Sequence, residues 1–132
     1  MKLNVLLTYL QISILGVISI VVPVLFEPHL RQYDSPLFPM VRAGIEGISL
    51  WSFGFLFLSG LIMKFFTKLP GWKIGLLTMA LFPVMTFLEM IVDPTSHNLF
   101  PIEFILYGFY TIPGIIGAYV AHAIPKIWFR NV

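Results

Sequence analysis

The chain alternates between long apolar runs and short polar stretches. Four runs are apolar, and they cover about residues 3–26, 44–66, 72–92 and 100–124. Each run exceeds the roughly 20 residues that an α-helix needs to cross the hydrocarbon core of a bilayer. The pattern therefore predicts an all-α integral membrane protein, in which residues 1–132 form one domain built as an antiparallel bundle of four transmembrane helices.

Prolines mark the places where these helices should deviate from regular geometry. Pro23 lies near the end of the first run, Pro83 and Pro113 lie inside the third and fourth, and Pro125 follows the fourth. Proline lacks the amide hydrogen that a helix needs, and its ring clashes with the preceding turn. We therefore expect a bend at Pro23, a kink at Pro83 and the end of the last helix near Pro125.

Composition points to the lipid bilayer as the main surroundings of the chain. Hydrophobic residues make up 58% of the sequence and charged residues only 11%, whereas about 25% are charged in a soluble domain. The formal net charge of +2 is too small, and the basic residues too scattered, to predict a nucleic-acid partner. The absence of cysteine excludes disulfides and thiolate metal sites.

Basic residues are distributed unequally between the two sides of the predicted bundle. Four spans would place both termini on one side with most of the bases, while Arg31 and Arg42 lie on the other side. Short cytoplasmic loops carry an excess of Lys and Arg, so we predict that both termini are cytoplasmic and that the protein lies in a cell membrane, the bacterial inner membrane. The bases on the terminal side are Lys2, Lys64, Lys68, Lys73, Lys126 and Arg130.

Acidic residues collect at the opposite, outer end of the predicted bundle. Glu46, Glu89 and Glu103 fall at similar depths on three different helices. Charges there are costly unless they are paired or hydrated, so we predict that these groups converge on a polar pocket for a ligand or a protein partner. The candidate residues for this pocket are Arg42, Glu46, Glu89, Asp93, His97, Glu103 and Tyr107.

Ordinary solvation at the membrane interface is the competing interpretation of the same acids. Glu103 begins a helix, where the helix dipole favours a carboxylate, and Asp93 could cap a turn. A histidine in a loop, such as His97, is usually solvated. Glu89 is the hardest to explain in this way, because it lies one turn inside the end of an apolar helix.

Two histidines raise the alternative of a metal site. His29 and His97 lie in outer loops, and with Asp93 they are weak candidates for ligands of a divalent metal, because two imidazoles and a carboxylate suffice. The sequence contains no tightly spaced H-E-x-x-H motif, no Gly-x-Ser-x-Gly motif and no glycine-rich phosphate loop. The sequence therefore names no reaction, and it leaves any metal or cofactor unknown.

Small residues line one face of the fourth predicted helix. Gly114 and Ala118, and likewise Gly117 and Ala121, are four residues apart. Such pairs let two helix backbones approach closely inside a membrane. We expect this face to be a helix contact, within the chain, between copies of the chain or with a protein partner.

Three functions remain open. The favoured one is a non-enzymatic subunit or accessory protein that binds a partner or a lipid at its outer face; the others are an oligomeric small-solute transporter and a membrane enzyme. The chain resembles small multidrug transporters in length and number of predicted spans only. Those transporters carry a carboxylate deep in the first helix, where this chain has Gln11, so no family is assigned.

Overall fold

The computed structural model describes residues 3–27 and 35–130, with side chains as far as Ile124. Within these residues all regular structure is α-helical and no strand occurs. The six helices are α1 (Leu3–Leu25), α2 (Pro39–Glu46), α3 (Leu50–Phe66), α4 (Gly71–Thr78), α5 (Leu81–Val92) and α6 (Phe100–Arg130).

Three helical stretches are long and apolar enough to cross a membrane, namely Leu3–Val24, Gly71–Val92 and Phe100–Ile124. The bent pair of α2 and α3 makes a fourth if it is counted as one span. Large apolar side chains cover the outside, and Leu50 is 85% exposed and Phe66 80% exposed. A surface of this kind requires an apolar solvent, so the chain is an all-helical protein with the properties of a membrane protein.

The prediction of one continuous helix over residues 44–66 is wrong for the first part of that range. Two helices take its place, and α2 meets α3 at an angle of 106°. Gly47 follows the end of α2, and Ser49 begins α3 as its N-cap, exchanging hydrogen bonds with Ser52 in a capping box. These caps satisfy the free backbone groups of two separate helix ends, and the continuous apolar pattern concealed them.

Prolines had different effects at different sites. Before Pro83 the helix is interrupted by a two-residue turn, since α4 ends at Thr78 and α5 begins at Leu81, although the two together form one apolar stretch of membrane-spanning length. Pro83 comes four residues after Met79, whose carbonyl the proline ring would strike in a regular helix. The predicted end near Pro125 is wrong, because α6 continues through both Pro113 and Pro125 to Arg130. Helices in apolar surroundings tolerate proline when local adjustments satisfy the freed backbone groups.

The helices pack mainly around α6, which lies against α3 and α4, while α1 lies against α2, α3 and α4. Glycines allow the closest approaches. A Cβ atom at Gly16 would overlap the carbonyl oxygen of Thr78, and one at Gly60 would overlap that of Gly114. Backbones of α1 and α4, and of α3 and α6, are therefore in direct contact, as is common where small residues meet in membrane helices.

The small-residue face of α6 lies inside the molecule. A Cβ atom at Gly117 would overlap the carbonyl oxygen of Phe57 in α3. Gly114, Ala118 and Ala121 are buried as well, and Ala118 belongs to an apolar cluster with residues of α1, α3 and α4. These residues contact helices of the same chain, and an interface with a partner through them stays a prediction.

Candidate functional site

A cavity of about 390 Å³ lies at the end of the molecule that carries the loop of residues 93–99. Its lining comes from α2 and the residues beside it, from α5, from the loop that follows α5 and from α6. We call its apolar lining residues the apolar wall and its polar lining residues the polar wall: the first are Phe38, Val41, Ile45, Ile48, Met85 and Leu106, and the second are Arg42, Glu46, Thr86, Glu89, His97, Glu103, Tyr107 and Tyr110.

Six of the seven predicted pocket residues line this cavity: Arg42, Glu46, Glu89, His97, Glu103 and Tyr107. They come from α2, α5, α6 and the loop between α5 and α6. The structure thus brings together side chains that are up to 65 positions apart in sequence, counting from Arg42 to Tyr107. That they bind a ligand or partner stays a prediction.

Glu89 is the most enclosed of the carboxylates, with 3% of its surface exposed. One oxygen, Oε1, accepts hydrogen bonds from the Ser35 hydroxyl and from the Phe38 amide at 3.0 Å. Phe38 is the N-cap residue of α2 and offers no side-chain cap of its own. The carboxylate therefore satisfies a free amide at the start of α2, where the helix dipole also favours negative charge.

His97 joins two of the helices. Its Nε2 atom lies 2.5 Å from Oε2 of Glu89, and its Nδ1 atom lies 2.7 Å from Oε2 of Glu103. The imidazole is buried, with 7% of its surface exposed. Although a loop histidine is usually solvated, this one bridges carboxylates from α5 and α6 and holds the loop against the bundle.

Tyr107 extends this network towards the interior. Its hydroxyl lies 3.0 Å from the Thr86 hydroxyl, and it also points to Oε2 of Glu103 at a longer 3.5 Å. Thr86 and Tyr107 are both buried. A continuous set of polar contacts therefore runs from the Ser35 hydroxyl through Glu89, His97 and Glu103 to Thr86.

Arg42 forms a second link between α2 and the loop. Its Nε atom donates to Oε1 of Glu46 at 2.7 Å, one helical turn away, and its Nη1 atom donates to the carbonyl oxygen of Ser96 at 2.9 Å. The pair is partly exposed, so its ionic contribution to stability is small. Its geometric effect is larger, because α2 is now attached at two points to the elements that enclose the cavity.

Asp93 does not line the cavity, which corrects its place in the predicted pocket. Its Oδ1 atom accepts hydrogen bonds from the hydroxyl and the amide of Thr95, at 2.7 and 2.9 Å. These bonds to the charged form lower the pKa of the Asp93 carboxyl below its usual value of 3.8. Asp93 therefore caps a turn, which was the competing interpretation.

The candidate metal ligands have other partners. In the ranges 3–27 and 35–124, no three histidine or acidic side chains are placed to hold one metal ion. Both ring nitrogens of His97 face carboxylates, and Asp93 is occupied by Thr95. His29 lies outside the described residues.

The sequence contained little signal for several residues of the site. It contained one for Thr86, because Thr86 lies three residues before Glu89 and so on the same helical face. Ser35, the Phe38 amide and the Ser96 carbonyl had none, since backbone groups and proline-rich loops follow no periodic pattern. The apolar wall was missed because its residues resemble those that face lipid.

Compared with known proteins, the chain matches no family model, no curated protein and no solved structure. Its function therefore has to be argued from the geometry of the site.

Proposed function

We propose that the chain is a four-span protein of a cell membrane, with cytoplasmic termini, and that it is a non-enzymatic accessory protein that binds an amphiphilic, lipid-like molecule in the cavity. In this arrangement the bent pair of α2 and α3 is the fourth span. The cavity then lies at the outer face of the membrane, where the polar head and the apolar chain of an amphiphile meet.

One observation carries the proposal, namely that the lining of the cavity combines apolar side chains with a hydrogen-bonded set of charged ones. Phe38, Met85 and Leu106 supply apolar surface, and Glu89, His97 and Glu103 supply the charged groups. Ligand pockets are typically apolar with a few placed polar groups that fix orientation. An amphiphile satisfies both walls at once, whereas a small polar solute would leave the apolar wall without a partner.

The position of the two helix breaks supports the same proposal. Residues 47–49 separate α2 from α3, and residues 79–80 separate α4 from α5. Irregular backbone at membrane depth is tolerated where it is enclosed by protein or lines a cavity. Ile48 of the first interruption lines the cavity, and α5, which follows the second, contributes Met85, Thr86 and Glu89.

Native mass spectrometry of the purified protein tests this function. We expect wild-type protein to retain a lipid-sized molecule and Leu106→Trp to lose it, because the larger ring fills the cavity. Ile105→Trp is the matched control, since Ile105 is 61% exposed and lies outside the cavity, and it should retain the molecule. Retention by Leu106→Trp, or no bound molecule in wild type, would contradict the proposal.

Transport of the same ligand is the second candidate function. Interrupted helices around a binding site recur in secondary transporters, and this cavity lies between two of them. Transbilayer movement of a fluorescent lipid in reconstituted vesicles distinguishes the two candidates. A rate above that of protein-free vesicles, abolished by Leu106→Trp, would identify a transporter; an unchanged rate is expected for the accessory protein.

Orientation is tested by cysteine labelling of this cysteine-free chain. We predict that a single cysteine in Asn98→Cys reacts with an impermeant maleimide in intact cells, because Asn98 is exposed in the outer loop. A cysteine in Thr67→Cys, in the basic loop between α3 and α4, should react only after the cells are opened. The reverse pattern would overturn the topology.

A further inference from the structure

We infer that the ligand of the cavity carries one positive charge on its head group, as a primary amine or a quaternary ammonium. This inference rests on the proposed binding function and specifies its ligand class. It follows from the net charge of the polar side chains that line the cavity and from the aromatic side chains that line it as well.

The contacts of His97 fix the proton count. Each of its ring nitrogens lies within hydrogen-bond distance of a carboxylate oxygen, at 2.5 Å for Glu89 and 2.7 Å for Glu103. A neutral imidazole has only one N–H group. Two hydrogen bonds therefore need two protons, either both on the imidazole or one on the imidazole and one on a carboxyl group.

Both distributions leave the same net charge. A cationic His97 between two carboxylates sums to one negative charge, and so does a neutral His97 between one carboxylate and one carboxylic acid. The bonds that Glu89 accepts from Ser35 and from the Phe38 amide favour its charged form. The trio of Glu89, His97 and Glu103 thus carries one negative charge in the observed geometry.

The remaining charged residues of the cavity do not balance this charge. Arg42 is paired with Glu46 at 2.7 Å, so that pair is neutral. The lining contains no lysine. A monovalent cation is therefore the head group that neutralises the cavity, while an anionic head group would add to an existing excess of negative charge.

Aromatic side chains suit the same head group. Tyr107, Tyr110 and Phe38 all line the cavity. Aromatic ring faces attract ammonium groups, most strongly where water is excluded. The apolar wall formed by Met85, Leu106 and their neighbours then receives the attached chain.

Three probes with the same decyl chain test the inference in a neutral maltoside detergent: decyltrimethylammonium, decanol and decyl sulfate. Binding is measured by calorimetry, and the cavity-blocked variant Leu106→Trp gives the background for each probe. We expect wild type to bind the ammonium probe about tenfold more tightly than decanol, because a charge-assisted contact adds to apolar burial. Decyl sulfate should bind no better than background.

Substitutions test whether the preference for the ammonium probe over decanol comes from the charged residues of the polar wall. Glu46→Gln should reduce the affinity for the ammonium probe towards that for decanol, because it leaves the positive charge of Arg42 uncompensated and so cancels the negative charge of the trio. The Glu46 side chain is 37% exposed. Asp93→Asn removes an acid from the same end of the molecule but outside the cavity, and it should change neither affinity.

The possible outcomes distinguish failure of the head-group inference from failure of the proposed amphiphile binding. Equal, saturable binding of decanol and the ammonium probe would overturn the head-group inference and leave the proposed amphiphile binding intact. The absence of saturable binding by all three probes would overturn both. Preference for decyl sulfate, or an ammonium preference that survives Glu46→Gln, would also overturn the assignment of the head group to this wall.

Discussion

Two halves of the molecule are held together in different ways. In the first, which we call the packed half, α4 and the middle of α1, α3 and α6 touch through glycines, and carbonyl groups such as that of Thr78 lie where a side chain would otherwise be. In the second, the cavity half, hydrogen bonds through His97 join α5 to the start of α6, and Glu89 joins α5 to the start of α2.

This contrast shows how one small bundle can combine rigidity with a cavity. Backbone contact through glycine depends on shape alone and leaves no room between helices. Polar side chains act over a longer distance, so Glu89 and His97 can fix the positions of α2, α5 and α6 while these helices stay apart. The two halves should consequently respond to different kinds of substitution.

Removal of Glu89 should have the largest effect. Glu89→Leu leaves His97 Nε2 without a partner in a buried site, and it leaves the Phe38 amide with only the Ser35 hydroxyl as acceptor. We expect it to lower the free energy of unfolding by about 3–5 kcal/mol, the usual cost of removing one member of a buried ionic group. Chemical unfolding in detergent measures this change.

Glu89→Gln is the control, because it retains an acceptor oxygen and similar volume. We expect it to lose less stability than Glu89→Leu. Wild-type stability in Glu89→Leu would mean that the cavity half does not depend on the network, and the contrast with the packed half would be lost.

A methyl group in the packed half should have the next largest effect. Gly117→Ala places its Cβ atom on the Phe57 carbonyl oxygen, and overpacking of this kind costs about 1–3 kcal/mol. Gly108→Ala is the matched substitution on the same helix, because nothing lies within 4 Å of the added atom. It should stabilise by about 0.5–1 kcal/mol, since alanine is the better helix former.

Thermal unfolding of both variants in the same detergent makes the comparison. Opposite shifts of the melting temperature are expected. Similar shifts of the melting temperature for both substitutions would show that the backbones of α3 and α6 leave room for a Cβ atom at residue 117.

Substitution of Asp93 should have the smallest effect on stability. This residue takes part neither in the glycine contacts of the packed half nor in the hydrogen-bond network of the cavity half. Its pKa is lowered in the folded protein by Thr95, so its stabilisation is complete above the unfolded pKa and is lost as pH falls through the folded pKa. We expect wild type and Asp93→Asn to differ slightly at pH 6 and to converge as the pH falls through the folded pKa of Asp93, which lies below its ordinary value of 3.8.

Melting temperatures across this pH range test the expectation. The difference should also be smaller than that produced by Gly117→Ala. A difference that grows at acid pH would contradict the role of Asp93 as a simple turn cap.

The sequence was informative where a pattern repeats and silent where contacts are made by loops. Hydropathy indicated the apolar segments, and the similar depths of Glu46, Glu89 and Glu103 on three helices indicated that these acids lie near one cavity. The break at residues 47–49 was missed because apolar residues continue through it, and local caps decide it. The burial of His97 could not be predicted, because it depends on two carboxylates from helices that only the fold brings together.

The attachment of α2 through a backbone amide has a consequence for how this protein could diversify. Glu89 binds the amide of residue 38 and not its side chain, so any residue other than proline at that position can keep the bond. Phe38 lines the cavity, and the hydrogen-bonded anchor does not use its side chain. Its size can therefore change without loss of the anchor, whereas Val41 and Ile45 also pack against the core. Related sequences could acquire different ligand preferences through residue 38.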